Sequence, residues 1–183
     1  MSEWHETLNG VLDRAWQMLV RGVNDPRHAA RTPTLATMSK EGPEQRTLVL
    51  RQANRAAGTL TLFTDAATSK VRQLRDDPRA SLHIWDKRSQ IQLRIAAHVS
   101  MTPGEREIWD QMPEGAREVY GVEPAPGTRI SDPEGFHRNS NADKFLKLTL
   151  QIVKIELVTL GLPIHRRAEF KASDNWRGHW LAP

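Results

Sequence analysis

The sequence contains no cysteine. Disulfides, zinc–thiolate centres, iron–sulfur clusters and a thiol nucleophile are therefore excluded. Tyrosine occurs once and phenylalanine four times. Long apolar runs are missing: the most apolar segment, 146–164, is interrupted by Lys147, Lys154 and Glu156, so no stretch reads as a membrane span. The opening residues MSEWHETLNG lack a basic region followed by an apolar one. They do not read as a secretory signal, and a cytoplasmic location is the expectation. The GxGxxG, P-loop, GxSxG and HExxH patterns are all absent. Seven histidines are scattered with no pair at ligand spacing on one helix or strand, so no metal site is expected.

What is present is the composition of a globular protein: 183 residues, 38% hydrophobic and 26% charged. That length suits a single domain spanning 1–183, which buries roughly 70% of its unfolded surface without needing a metal or a disulfide. The formal charge is +4, from 26 basic and 22 acidic residues. The two signs are interspersed, and Trp85, Trp109 and Trp176 stand alone rather than alternating with basic residues. A nucleic-acid partner is therefore not expected. A small anionic ligand such as a phosphate ester suits this balance.

Trp4, Leu8, Val11, Leu12, Ala15 and Leu19 recur at spacings of three and four. They predict an amphipathic helix over 1–22, capped by Ser2 and ended by Gly22. Strands are expected at Thr34–Ser39, Glu44–Arg51, Thr59–Thr64, Ala80–Trp85 and Gln90–Val99, with a short helix over Thr68–Asp76. The fifth strand alternates most clearly, with Ile91, Leu93, Ile95, Ala97 and Val99 on one face and Gln92, Arg94 and His98 on the other. Thr102–Glu105 opens another helix to about Gln111, and 112–143, rich in Pro, Gly and charge, reads as a long loop with a turn or two of helix. Leu146, Leu148, Leu150 and Ile152 alternate as a strand, after which Val153, Ile155 and Leu157 take the opposite parity. That slip predicts a β-bulge where the strand bends around a barrel. The fold class is mainly β with flanking helices, in a small β-barrel.

Three groups of residues stand out chemically. Arg46 and Arg51 bracket the apolar run Thr47-Leu48-Val49-Leu50. Ser69 and Lys70 sit at the predicted start of the second helix, where free N–H groups and the positive end of the helix dipole favour a phosphate. Gln92 lies on the polar face of the fifth strand, where an amide can orient a flat heterocycle. The bland alternatives are charged strand ends, a helix cap and a solvent-facing glutamine.

Taken in order, these pieces resemble the pyridoxamine 5′-phosphate oxidase family, the FMN-binding split β-barrel proteins. Arg46-Thr47-Leu48-Val49-Leu50-Arg51 is similar to the family's R-x-V-L-L-K strand. Leu62-Phe63-Thr64, Ser69-Lys70 and Pro78-Arg79-Ala80-Ser81-Leu82 are similar to its F-Y-T…R-K…N-P-R-x-S block, and the segment Gln92–Val99 to its Q-V-R-I-E-G-R-V. Ile164-His165-Arg166-Arg167 and Trp180-Leu181-Ala182-Pro183 are similar to L-H-D-R and the terminal R-L-x-P. The resemblance spans about residues 30–183. It implies a split barrel, bound FMN and a homodimer with the flavin at the subunit interface. Cofactor contacts are implied at Arg46, Thr47, Leu48, Val49, Phe63, Thr64, Ser69, Lys70, Gln92 and Arg167. Arg51 and His165 are implied on the substrate side as the catalytic candidates, with His165 able to act as acid or base near neutral pH.

The departures concern the substrate. The positions at which the family's oxidases carry a Tyr, an Arg and a Ser for the substrate phosphate fall on Ile108, Met112 and Ala116, and the family's substrate arginine falls on Pro163. Ser69 stands where the family usually has Arg. The flavin half of the site looks kept and the vitamin-B6 half lost, with Arg117, Arg129 and Arg138 as candidate replacements. The expectation is an FMN-dependent oxidoreductase acting on a small molecule that is not clearly a B6 phosphate. The alternatives are a true pyridoxamine 5′-phosphate oxidase with rearranged phosphate contacts, and a flavin-binding module without turnover.

Overall fold

The first long helix, α1, spans Leu8–Asn24, after a short 3-10 turn at Trp4–Glu6. These elements belong to a computed structural model that describes residues 3–183. The expected cap at Ser2 lies outside the described residues. Thr7 caps α1 instead, its Oγ1 accepting from the Gly10 N–H at 3.1 Å. Gly22 does not end the helix. It lies within it, buried against Ala30, and α1 stops at Asp25, which is extended and precedes Pro26. The apolar stripe of Val11, Leu12, Ala15, Trp16, Met18 and Leu19 is buried in the main core.

The strands are β1 (Thr34–Ser39), β2 (Gly42–Thr47), β3 (Leu50–Asn54), β4 (Thr59–Asp65), β5 (Arg79–Asp86), β6 (Ile91–Pro103), β7 (Val122–Glu123), β8 (His137–Arg138), β9 (Phe145–Thr159), β10 (Arg166–Lys171) and β11 (Gly178–Leu181). The helix α2 (Ser69–Asp76) joins β4 to β5, and α3 (Arg106–Gln111) and α4 (Glu114–Arg117) follow β6. The main sheet runs β11-β10-β9-β6-β5-β1-β2, and every pairing among the described residues is antiparallel. Along one edge, β9 meets β6 throughout. Along its other edge it meets β4 over residues 145–151 and β10 over 154–159. Thus the sheet forks at β9, and β3 joins beyond β4. This is the split barrel.

The fork lies at the expected bulge. Ala97 pairs with Ile152 and Ala96 with Lys154, so Val153 is the extra residue. Before it, Leu148, Leu150 and Ile152 are buried; after it, Ile155 and Leu157 are. The expected strand Glu44–Arg51 is corrected into two. β2 pairs with β1, and β3 pairs with β4, with Leu48 and Val49 turning between them. Leu48 donates its N–H to Pro33 O at 3.2 Å and packs its side chain on the main core, which ties down the corner. Gln90 also leaves its expected strand, adopting a left-handed turn conformation at φ +51°. The long loop contains α4 and the β7–β8 hairpin.

A second, smaller core sits beside β4 and the start of β9. Trp109, Tyr120 and Phe145 are buried there, with Phe63, Ile108, Met112 and Ala142 packed against them. No helix of the described residues is long and apolar enough to cross a membrane.

Candidate functional site

The end of β4 and the start of α2 bring Thr64, Ser69 and Lys70 together. Thr68, the residue before α2, is extended and turns its hydroxyl back to Asp65 O at 2.8 Å. It gives α2 no side-chain cap, so the first-turn N–H groups of Ser69 and Lys70 face outward from the helix end. Lys70 Nζ donates to Thr64 Oγ1 at 3.1 Å. Burial pushes the Lys70 ammonium down to about 8; the Arg46 guanidinium adds to this, and Asp65 partly offsets it.

Arg46 enters the same place from β2 and is fixed by a polar knot. Its Nη1 donates to Thr37 Oγ1 and to Glu44 O, and its Nη2 to Glu44 Oε2 at 3.0 Å and Gln73 Oε1 at 3.1 Å. Thr37 Oγ1 donates to the same Gln73 Oε1 at 2.6 Å. Three side chains from three elements thus hold one guanidinium beside one half-buried ammonium. An open cleft of about 690 Å³ runs past them, lined by Ser39, Lys40, Glu44, Ser69, Arg72 and Gln73 among others.

Arg51, on β3, lies on the other side of β4. Its guanidinium carbon is 5.7 Å from the centre of the Phe63 ring, and its Nε is buried without a hydrogen-bond partner. Phe63 meets Phe145 edge-on at 4.8 Å, and Phe145 meets Tyr120 at 5.0 Å. Ile108 and Met112 pack on this aromatic group, while Ala116 is exposed on α4. Of the candidate replacement arginines, Arg117 donates to Met112 O at 3.0 Å and Asp110 O at 2.6 Å, Arg138 pairs with Glu118, and Arg129 is exposed.

Gln92 and Arg167 form a separate group. Trp85, Gln92, Val158 and Arg167 are opposite one another across β5, β6, β9 and β10, so they form one row on the outward face. Arg167 Nε donates to Glu156 Oε1 at 2.8 Å, and Arg94 donates to the same oxygen. Glu156 is only 3% exposed. Burial alone would raise its carboxyl pKa; the two arginines outweigh that and hold it below the ordinary glutamate value. His165 is exposed just before β10, Thr47 is exposed at the end of β2, and Val49 is half-buried. Among the described residues, no hydrogen bond or ring contact joins Gln92, His165 or Arg167 to the α2 cradle.

Sequence reasoning missed Thr37, Gln73, Asp65 and Tyr120. The first two sit in strand and helix patterns as ordinary polar positions. Asp65 accepts from Ala67 N–H at 2.6 Å and Gly121 N–H at 2.5 Å. Only the rarity of tyrosine in this chain pointed to Tyr120.

Residues 1–103 match the profile of the pyridoxamine 5′-phosphate oxidase, FMN-binding domain family. No curated protein sequence matches significantly. Among solved structures, a pyridoxamine 5′-phosphate oxidase-related, FMN-binding protein from Nostoc punctiforme aligns at 21% identity with TM-score 0.68, covering 100% of this chain and 99% of its own. PhzG from Burkholderia lata, in complex with tetrahydrophenazine-1-carboxylic acid, aligns at 17% identity with TM-score 0.69, over 96% of this chain and 90% of its own. An F420 reductase aligns at 13% identity with TM-score 0.50, over 76% and 93%. At these identities the structures share the fold. The profile match extends over more than half of the 183 residues, and the chain belongs to the pyridoxamine 5′-phosphate oxidase FMN-binding domain family.

Proposed function

We propose that this chain is an FMN-binding oxidoreductase that acts on a small molecule as a homodimer. The observation that carries the reading is Lys70, a half-buried ammonium beside the Arg46 guanidinium with no carboxylate bonded to it, at the start of a helix without a side-chain cap. A cationic cradle of this kind is stabilised by an anion, and a phosphate monoester fits it. Arg46, Ser69 and Lys70 would hold the FMN phosphate, while Phe63, Thr64 and the Thr47–Val49 corner would line the flavin. Gln92 and Arg167 lie away from this cradle in their own chain, so their role requires the second subunit to present them.

When bound, FMN supplies a two-electron acceptor at its ring. Arg51 would orient the substrate over Phe63. His165, exposed and unpaired among the described residues, would take or give a proton at a ring nitrogen. Ile108, Met112, Ala116 and Pro163 offer no charged donor, which argues against a B6 phosphate as the substrate.

The test is uptake of FMN by the protein, followed by quenching of flavin fluorescence. Stoichiometric uptake is expected, with Lys70→Ala weakening it at least roughly tenfold, the loss expected for one charge-assisted hydrogen bond. A protein that takes up no FMN would end the oxidoreductase reading.

A further inference from the structure

We infer that Tyr120 and Arg51 form the substrate-recognition pair of this site, and that the group they take is a carboxylate on a flat, largely apolar body. The inference rests on the flavin reading for its place beside the cofactor, and on the following geometry for the pair itself.

Tyr120 lies within the long loop, yet its backbone is fixed on every side. Its N–H donates to Arg117 O at 3.0 Å, and its C=O accepts from Asn141 N–H at 3.0 Å. The next residue, Gly121, donates to the buried Asp65 carboxylate at the end of β4. Gly121 sits at φ +99°, and a Cβ there would lie 2.4 Å from Asn139 O, so only glycine fits. These restraints drive the ring into the group of Trp109, Phe63 and Phe145, where Tyr120 is 4% exposed. Its hydroxyl makes no hydrogen bond among the described residues. Across the same pair of phenylalanines, Arg51 keeps its Nε buried without a partner. A buried donor without an acceptor costs roughly 1–3 kcal/mol. The orphaned Arg51 Nε and the unbonded Tyr120 hydroxyl border one aromatic group and offer a ligand two donors.

The count of donors selects the ligand chemistry. A phosphate ester presents three anionic oxygens and calls for several charged donors. Here the flanking side chains are Ile108 and Met112, and Arg117 is spent on two backbone carbonyls. One guanidinium and one phenol match the two oxygens of a carboxylate, and Phe63 and Met112 match an apolar ring behind it. Burial raises the Tyr120 pKa above its ordinary value, against a lowering by Arg51, so the phenol remains a donor throughout the physiological range.

Benzoate is the probe, with inorganic phosphate as the comparison, each titrated into the FMN-loaded protein while the bound flavin's absorption band is followed. Benzoate is expected to perturb the band saturably and phosphate to do so less. Tyr120→Phe, which keeps the ring, is expected to weaken benzoate roughly tenfold, and Arg51→Gln to weaken it further. A phosphate response tighter than benzoate, or equal benzoate binding by Tyr120→Phe, would overturn the assignment. A second readout needs no flavin. The chain has one tyrosine, so the phenolate absorbance near 295 nm reports Tyr120 alone. Benzoate accepting its O–H is expected to move that titration upward by about one pH unit, the equivalent of tenfold binding. No movement sinks the pair, even where FMN uptake fails and the flavin reading falls separately.

Discussion

At the scale of the residue, Lys70 sets a pH dependence. Its ammonium titrates at about 8 in the folded chain, against 10.5 for an ordinary lysine. Between those values the unfolded chain holds more protons, so stability rises with pH across that window, and the cost of the half-buried charge is fully felt below it. A phosphate dianion reverses the preference by pairing with the charged form. FMN binding should therefore take up a proton above pH 8. Its dissociation constant is expected to rise about tenfold between pH 7 and pH 9, as the protonated fraction falls. Lys70→Arg, charged throughout, should flatten that profile, and a flat profile in the wild-type chain would remove Lys70 from the phosphate site. Glu156 gives the same direction of pH dependence in an acidic window. Its depressed carboxyl contributes stability above the ordinary glutamate pKa, which is lost as pH falls through the folded value.

At the scale of the element, α1 depends on one close approach. A Cβ on Gly22 would lie 2.5 Å from the backbone carbon of Ala30 and 2.7 Å from its Cβ. Alanine gains about 1 kcal/mol over glycine in a helix interior, but overpacking against backbone costs roughly 1–3 kcal/mol. Gly22→Ala is expected to lower the urea midpoint, whereas Gly115→Ala on α4, with nothing within 4 Å, should leave it unchanged or raise it slightly. The same contact explains why Gly22 misled as a helix end: a glycine needed for packing looks like a glycine needed for a turn. Strong alternation made β6 legible, and the parity change at Val153 made the bulge legible, because both patterns follow from burial on one face. The break at Leu48–Val49 was not legible, since Thr47–Leu50 is uniformly suited to a strand and only the pairing of β3 with β4 splits it. β10 and β11 were unannounced, with two buried apolar residues, Ala168 and Phe170, in the first. Of the candidate site, the Arg46–Lys70 cradle could be read because its residues adjoin recognisable strand and helix ends. Tyr120 could not, because the Asp65–Gly121 contact that fixes it joins positions distant in sequence.

At the scale of the whole molecule, the outward face of the sheet leaves Met38 46% and Trp85 42% exposed, the latter beside Gln92. A second copy covering this face would bring the Gln92–Arg167 row into a shared site. Sedimentation of the FMN-loaded protein is expected to give twice 20.8 kDa. A 20.8 kDa species with FMN bound would separate flavin binding from dimerisation. FMN at a hundred times its dissociation constant contributes about 2.7 kcal/mol, which for a chain of this length raises Tm by roughly 5–10 °C. The fork at β9 has a consequence for how the protein is made. β4 and β6 are complete early in the chain, but both wait for β9, which follows only after the whole 104–144 segment. At ribosomal speeds that wait is on the order of seconds. For its duration the nascent chain holds two unpaired, apolar strand edges side by side, and a single incoming strand then seals both. Biosynthesis of this barrel thus has one vulnerable interval, in which chaperone cover matters most and which ends when β9 joins β4 to β6, with β10 and β11 added afterwards.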